Sequence, residues 1–422
     1  MSGQLAVHGG APVCDRPWPH WPIRRPGARR ALIDAFDSGR WTISAPGGGT
    51  AEPDFGQAFA AYCEAATAVP TANGSAALTI ALAAAGVGHG DEVLVPAISW
   101  VACAAAVLSL GAVPVAVDVR ADDLCMSIDA AAYACGARTS AVLLVHQNCW
   151  IANVDAFASL CRDRDLALIE DCSHAHGARR RGRRVGTFGE AAGFSLQQSK
   201  LLACGEGGVA VSSDESVGHR LHRLRANGRR YDEQAQALVE LPDLMGDNLL
   251  MSEFHAAIAS ENLTHLDEEN RARLAAARQL SLGLAEVAGV QPPGHPPDDE
   301  PTFHKYTVAL DIEAFAGRPI NVIAAAVSRE LGAPCELLDA PLGRNPLYNP
   351  GSSPRSKGRS IAVPTSEDHP VALAAVERCL AFRHHLLLAD RRQLEMIVEA
   401  IAKVQRHAGA LSAPDLSLVA NP

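Results

Sequence analysis

From about residue 70 the chain alternates short apolar runs with stretches whose apolar positions recur at three and four residues. The second periodicity belongs to helices, and short unbroken runs bounded by turn residues belong to buried strands. SAALTIALAAAGV (75–87) therefore predicts a helix and EVLVP (92–96) a strand. SWVACAAAVLSLG (99–111) predicts a helix, with VPVAVDV (113–119) and AVLLV (141–145) as strands. VDAFASLCRDR (154–164) is helical, and the strand LALIE (166–170) follows it. AAGFSLQ (191–197) and GGVAVSS (207–213) are two further strands flanking SKLLACGEG. Strands alternating with helices predict an α/β fold around a mostly parallel, doubly wound sheet.

Outside this region the pattern changes. Residues 1–30 are rich in Pro and Arg without periodicity. They read as an N-terminal arm lying on a surface, a partner subunit's among the candidates. RRALIDAF then turns helical and stops at Ser38-Gly39. Residues 252–287 predict one long helix, kinked or straight. The Pro-rich break GVQPPGHPPDDEP (289–301) marks a boundary. Beyond it TFHKYTVALDI (302–312) predicts a strand, and helices are expected near 320–331, 367–380 and 389–406. The expected division is an arm (1–30), a large α/β domain (31–290), a small C-terminal α+β domain (291–408) and a loose tail (409–422).

Composition narrows the class. Of 422 residues, 48% are hydrophobic and 20% charged, which is globular rather than disordered composition. The net charge of -10 argues against nucleic acid or an anionic membrane as partner. Eleven cysteines are scattered without a CxxC or CxxH pair. A disulfide framework or metal site needs clustered spacing, so free thiols in a reducing compartment and no metal are expected. No basic segment followed by an apolar run opens the chain, and a cytoplasmic enzyme is expected.

Four segments carry candidate chemistry. In PTANGSAALTIAL, Gly74 and Ser75 stand where a loop enters a helix. Unpaired N–H groups there bind phosphate, although a serine in that place also serves as an ordinary N-cap. In LALIEDCSHAHGA, Asp171 follows a buried strand, and strand ends of open α/β sheets are where ligands sit. A carboxylate there suits a protonated pyridine nitrogen, with His174 near the ring oxygen; a capping Asp and a surface His are the plainer alternative. In GFSLQQSKLLACGEGG, Lys200 lies in an almost uncharged segment. An apolar site lowers a lysine's pKa and leaves it nucleophilic, whereas a lone lysine is more commonly a solvated surface residue. Ser195 offers a second hydroxyl to a phosphate. In PAISWVACAAAV, Trp100 could stack on a cofactor ring or fill a core.

In this order the motifs resemble the DegT-type sugar and cyclitol aminotransferases, which are fold-type I enzymes dependent on pyridoxal 5'-phosphate. The likeness runs from about Trp18 to Val404. In texture it is nearest to the 2-deoxy-scyllo-inosose and scyllo-inosose aminotransferases. Matching stretches include HWP (20–22), SGRWTIS (38–44), IEDCSHAHGA (169–178), FSLQQSK (194–200), GDNLLMSEFHAAI (246–258), RNPLY (344–348) and HHLLLAD (384–390). The resemblance implies Lys200 as the Schiff-base lysine, Asp171 as partner of the pyridine nitrogen, and His174 beside the ring oxygen. It implies Trp100 as the stacking aromatic and Gly74, Ser75, Ala76 and Ser195 as the phosphate cradle. Asn248 matches an asparagine that reaches the phosphate in the neighbouring subunit, implying a homodimer with shared sites.

The sequence departs from the family at Leu250, where many relatives have Arg, at His146–Trp150 and at Gly47–Gly49. These positions border the acceptor pocket in relatives. Arg40 and Trp41 are candidate acceptor contacts. The expected reaction moves an amino group from L-Gln or L-Glu to a cyclic ketone. A nucleotide-linked keto-sugar as acceptor, an elimination of the kind run by relatives similar to 3-amino-5-hydroxybenzoate synthase, and a non-catalytic homologue are the alternatives.

Overall fold

The computed structural model describes residues 4–411, except 45, 46, 233, 236, 242, 354, 355, 357–360 and 366. The expected tail beyond residue 411 lies outside the described residues. At the centre is a seven-stranded sheet. Its strands run, in spatial order, Thr67–Thr71, Gly208–Ser212, Ala191–Ser195, Ala167–Asp171, Thr139–Val145, Glu92–Pro96 and Val113–Val117. The five strands from Ala191–Ser195 to Val113–Val117 are mutually parallel. Gly208–Ser212 runs antiparallel to both of its neighbours.

The strand sequences are continuous apolar runs because both sheet faces are covered. Side chains alternate between faces. Val93, Val95, Ala141, Leu143 and Ile169 enter one buried cluster with the helices Gly74–Ala84, Ala102–Ser109 and Glu215–Leu224. Leu94, Val142, Leu144 and Leu168 enter another on the opposite face. That second cluster continues without a break into the C-terminal part. There an antiparallel sheet, in the order Val290–Gln291, Lys305–Leu310, Cys379–Arg383 and Glu336–Leu337, packs with helices Ile320–Leu331 and Arg391–Arg406. One end of this small sheet faces the ends of the large sheet's parallel strands across a cleft.

Several elements differ from the sequence reading. The single helix expected over 252–287 is two, Glu253–Leu263 and Leu266–Ala285, separated at Thr264-His265. Cys379 and Leu380, the end of the helix expected near 367–380, instead begin the strand Cys379–Arg383; the helix is only Pro370–Val376. The helix Ala51–Cys63 and the strand Thr67–Thr71 were not anticipated. The N-terminal arm lies on its own chain. Leu5 and Cys14 are buried, the Ala6 N–H donates to Glu330 Oε1 (2.8 Å), and the Trp18 indole donates to the Leu331 carbonyl (2.7 Å). Its first α-helix begins at Pro26, where the fixed φ of proline suits a first turn.

Candidate active site

Three parallel strands end at the same cleft. Their last residues, Val145, Asp171 and Ser195, all line it. The cleft has a volume of about 530 Å³. Ligands of α/β sheets bind at such carboxyl ends, and each wall here has separate chemistry.

One end is built for an anion. The helix Gly74–Ala84 points its N-terminus into the cleft. Asn73, not Ser75, is the cap: its Oδ1 accepts the Ala76 N–H (2.9 Å). That leaves the N–H groups of Gly74 and Ser75 without intrahelical acceptors, with the Ser75 and Ser195 hydroxyls beside them. Gly74 is required by the close approach of two elements. A Cβ there would stand 2.6 Å from Ser195 Cβ and 2.9 Å from its Cα. Ala76, expected in this cradle, does not line the cleft, and its N–H is held by the cap.

Asp171 stands at the floor and is buried. Oδ1 accepts the Ser173 N–H (3.0 Å), and Oδ2 accepts from Cys103 Sγ (3.1 Å). Both bonds fix the carboxylate's direction without an ion pair among the described residues, so its charge is left for a ligand. Lys200 shares the cleft, on a turn where its N–H donates to the Gln197 carbonyl (2.8 Å). Its amine has no hydrogen-bond partner among the described residues. Burial lowers its pKa to about 8, with Lys305 pushing the same way and Asp171 opposing. Lys200 is therefore a cleft residue and not a solvated surface lysine.

His174 presents a defined hydrogen. The Asn148 N–H donates to its Nδ1 (3.3 Å), so in the neutral ring the proton sits on Nε2. Burial first, then the cations Lys200 and Lys305, hold its pKa well below the usual histidine value. His304 stacks on it with ring centroids 4.2 Å apart, and His384 follows 5.9 Å from His304. His384 Nε2 donates to the Ser199 carbonyl (3.0 Å), one residue from Lys200.

The wall formed by the small sheet has almost no local signature in the sequence. His304, Lys305, Glu336, Asp339 and Arg383 all line the cleft. Glu336 is buried and pairs with Lys305 Nζ (3.1 Å) and with Arg383. Burial works against its charge, but these two cations hold its pKa below the usual value. The only trace in the sequence is His304-Lys305 in FHKY, at the head of a largely apolar strand.

Trp100 lines the cleft just before the helix Ala102–Ser109 and is 45% exposed, so it is no core residue. Arg40 and Trp41 do not line the cleft of their own chain. The Trp41 indole donates to the Phe36 carbonyl (3.0 Å) and packs on Phe36 and Phe254. Asn248 is exposed and bridges to Ala226; the cap of the following helix is Ser252. His146, Glu170 and Cys172 gather ligand-type atoms in the core. Glu170 there accepts from His146 Nε2 (3.1 Å) and from the N–H groups of Gly186, Phe188 and Gly189. Its lone pairs are already used for structure. All eleven cysteines are free thiols, ten of them buried.

The donor set fits pyridoxal 5'-phosphate. It offers an open helix N-terminus with two hydroxyls, a fixed carboxylate without a cation, an imidazole N–H, an exposed indole and an unpaired amine of lowered pKa.

Residues 28–401 match the sequence profile of the DegT/DnrJ/EryC1/StrS aminotransferase family. An L-glutamine:2-deoxy-scyllo-inosose aminotransferase of Streptoalloteichus tenebrarius is 41% identical, with 98% of this chain and 100% of that protein covered. An L-glutamine:scyllo-inosose aminotransferase of Streptomyces griseus is 41% identical over 96% of this chain and 98% of its own. The crystal structure of 3-amino-5-hydroxybenzoic acid synthase superposes with a TM-score of 0.80 at 29% identity, covering 94% of this chain and 99% of that one.

Proposed function

The chain belongs to the DegT/DnrJ/EryC1/StrS aminotransferase family, and from that premise we propose that it carries an amino group from L-glutamine to a keto-cyclitol in antibiotic biosynthesis. It is a pyridoxal-phosphate-dependent aminotransferase. The carrying observation is the meeting, in one cleft, of an unpaired Lys200 amine, the Asp171 carboxylate and the open N-terminus at Gly74-Ser75. The named acceptors of the relatives, 2-deoxy-scyllo-inosose and scyllo-inosose, are the first to try.

Each residue has a task in this reading. The N–H groups of Gly74 and Ser75, with the Ser75 and Ser195 hydroxyls, would hold the phosphate. Asp171 would pair with the ring nitrogen, His174 Nε2 would donate to the ring oxygen, and Trp100 would cover a ring face. The cofactor, when bound, supplies an electron sink for the pair left at the donor's α-carbon. Lys200 would be its covalent anchor. Lys200 Nζ would also take the donor's α-proton as base and deliver a proton as acid later in the transfer. A pKa of about 8 suits both duties near neutral pH.

The same reading gives a homodimer whose partner supplies Asn248. Apolar residues exposed around the N-terminal helix and the cleft mouth, Phe36, Trp41 and Trp100 among them, are what a second copy would cover. The working division remains a large domain (31–290) and a small one (291–408). The free thiols fit a cytoplasmic enzyme. Among the described residues no helix is long and apolar enough to cross a membrane.

Incubation of loaded enzyme with L-glutamine and each inosose tests the reaction. Equal amounts of 2-oxoglutaramate and aminocyclitol are expected by mass spectrometry. Transfer to a nucleotide-linked keto-sugar but to neither inosose would replace the acceptor class.

A further inference from the structure

We propose that Arg383, held by Glu336 and backed by Lys305, is the subsite that takes the α-carboxylate of the amino donor. The inference rests on the aminotransferase reading and deepens it by naming what distinguishes the two substrates of one cleft.

The argument starts from strand register. Lys305 and Arg383 are direct partners on adjacent antiparallel strands, at the end of the small sheet that faces the cleft. Like charges placed opposite each other on a sheet destabilise it. Glu336, on the next strand and paired with Ala381, lies on the same side and forms ion pairs with both cations. One buried carboxylate neutralises one of the two positive charges. Asp339, the other acid on this wall, forms no ion pair with either among the described residues. Glu336 is thus shared between the two cations, and the wall keeps cationic N–H groups that no acceptor among the described residues fills.

The free valence belongs to Arg383. Its Nε is turned to Glu336, whereas Nη1 and Nη2 have no partner among the described residues. A guanidinium fixed through one edge presents the other, whose two N–H groups match a carboxylate. The guanidinium lines the same cleft as Lys200. An amino acid brings a carboxylate on the very carbon that loses its proton. A keto-cyclitol brings hydroxyls and a ketone but no charge. The phosphate has its own cradle at Gly74-Ser75. The donor's carboxylate is thus the anion left for Arg383. Its side chain is 41% exposed, so it can turn toward water when the uncharged acceptor follows.

The test compares two ligands that differ by one charge. 4-Carbamoylbutanoate is glutamine without its amino group, and pentanediamide is its neutral counterpart. Binding of each to pyridoxal-phosphate-loaded wild type, Arg383→Gln and Arg383→Lys is measured by calorimetry. Wild type should prefer the acid at least tenfold. Arg383→Gln should lose the preference, and Arg383→Lys, which keeps the charge beside Glu336, should retain part of it. No preference in wild type, or an undiminished one in Arg383→Gln, overturns the inference even if glutamine is transaminated. Tight binding of UDP that Arg383→Gln abolishes would assign the cation to a diphosphate instead, which also overturns it. Failure of wild type to use glutamine at all, with the preference intact, counts against the proposed donor and not against the carboxylate subsite.

Discussion

Replacing Gly74 by alanine perturbs the cofactor site through a single methyl group. The added Cβ would lie 2.6 Å from Ser195 Cβ, 2.9 Å from Ser195 Cα and 3.1 Å from its Oγ. Carbon atoms in ordinary contact sit about 3.5–4.0 Å apart, so the gap must open by about 1 Å. One of the blocking atoms is backbone, and a rotamer change cannot relieve it. The helix Gly74–Ala84 must move away from the end of the strand Ala191–Ser195. Overpacking of this kind costs roughly 1–3 kcal/mol, against at most about 1 kcal/mol returned by alanine's helix propensity. The same shift carries the Gly74 and Ser75 N–H groups off a phosphate that Ser195 still holds. Hydrogen bonds to a charged group contribute roughly 1.5–3 kcal/mol each, so losing one raises the cofactor's Kd by roughly 10- to 150-fold. Equilibrium titration of apoenzyme with pyridoxal 5'-phosphate gives the Kd, and thermal unfolding of the apo form separates the packing cost. A Gly74→Ala enzyme with unchanged Kd would show that the phosphate is held elsewhere.

Three further outcomes are expected. Asp171→Asn should keep the cofactor bound but slow the half-reaction with glutamine by roughly a hundredfold or more, about 3 kcal/mol, because an uncharged ring is a poorer electron sink; single-turnover absorbance measures it, and a near-normal rate refutes the pairing. Burial disfavours the charged amine of Lys200, so its neutral, reactive form should appear as pH rises through about 8 rather than through 10.5, the ordinary lysine value. The rate at which apoenzyme captures pyridoxal 5'-phosphate should follow that midpoint and move lower in Asp171→Asn, and a midpoint near 10 contradicts it. Asn248→Ala should weaken cofactor retention, and removing the cofactor should weaken the dimer in turn. Sedimentation of apo and loaded protein at low concentration reads this linkage, and a fully active monomer would end the shared-site idea.

The parts legible in the sequence are those whose signal is local. The helix Val154–Arg164 and the strand holding Asp171 stand out because one period runs uninterrupted and polar residues bound it. Lys200 stands out as one charge in a neutral segment. The helix Ala51–Cys63 was obscured by Pro53 and Gly56. The latter is small because a Cβ there would come 3.0 Å from the Ala68 carbonyl oxygen. The strand Thr67–Thr71 carries a proline, tolerated because it is an edge strand. The break at Thr264-His265 has no proline or glycine to announce it. At the site, Asn73 rather than Ser75 caps the helix, a choice that rests on backbone geometry and not on residue type. The wall of Lys305, Glu336 and Arg383 is least legible, since strands far apart in sequence bring those charges together. Each alone reads as an ordinary surface residue.

Reductive labelling tests the central assignment most directly. The chain has four lysines, Lys200, Lys305, Lys357 and Lys403, and two of them, Lys200 and Lys305, line the cleft. Borohydride treatment of the loaded enzyme, followed by peptide mapping, fixes the cofactor to whichever amine holds it. The account predicts one label per chain, on the peptide that contains Lys200, and none in Lys200→Ala. A label on Lys305, or an unchanged label in Lys200→Ala, would contradict it.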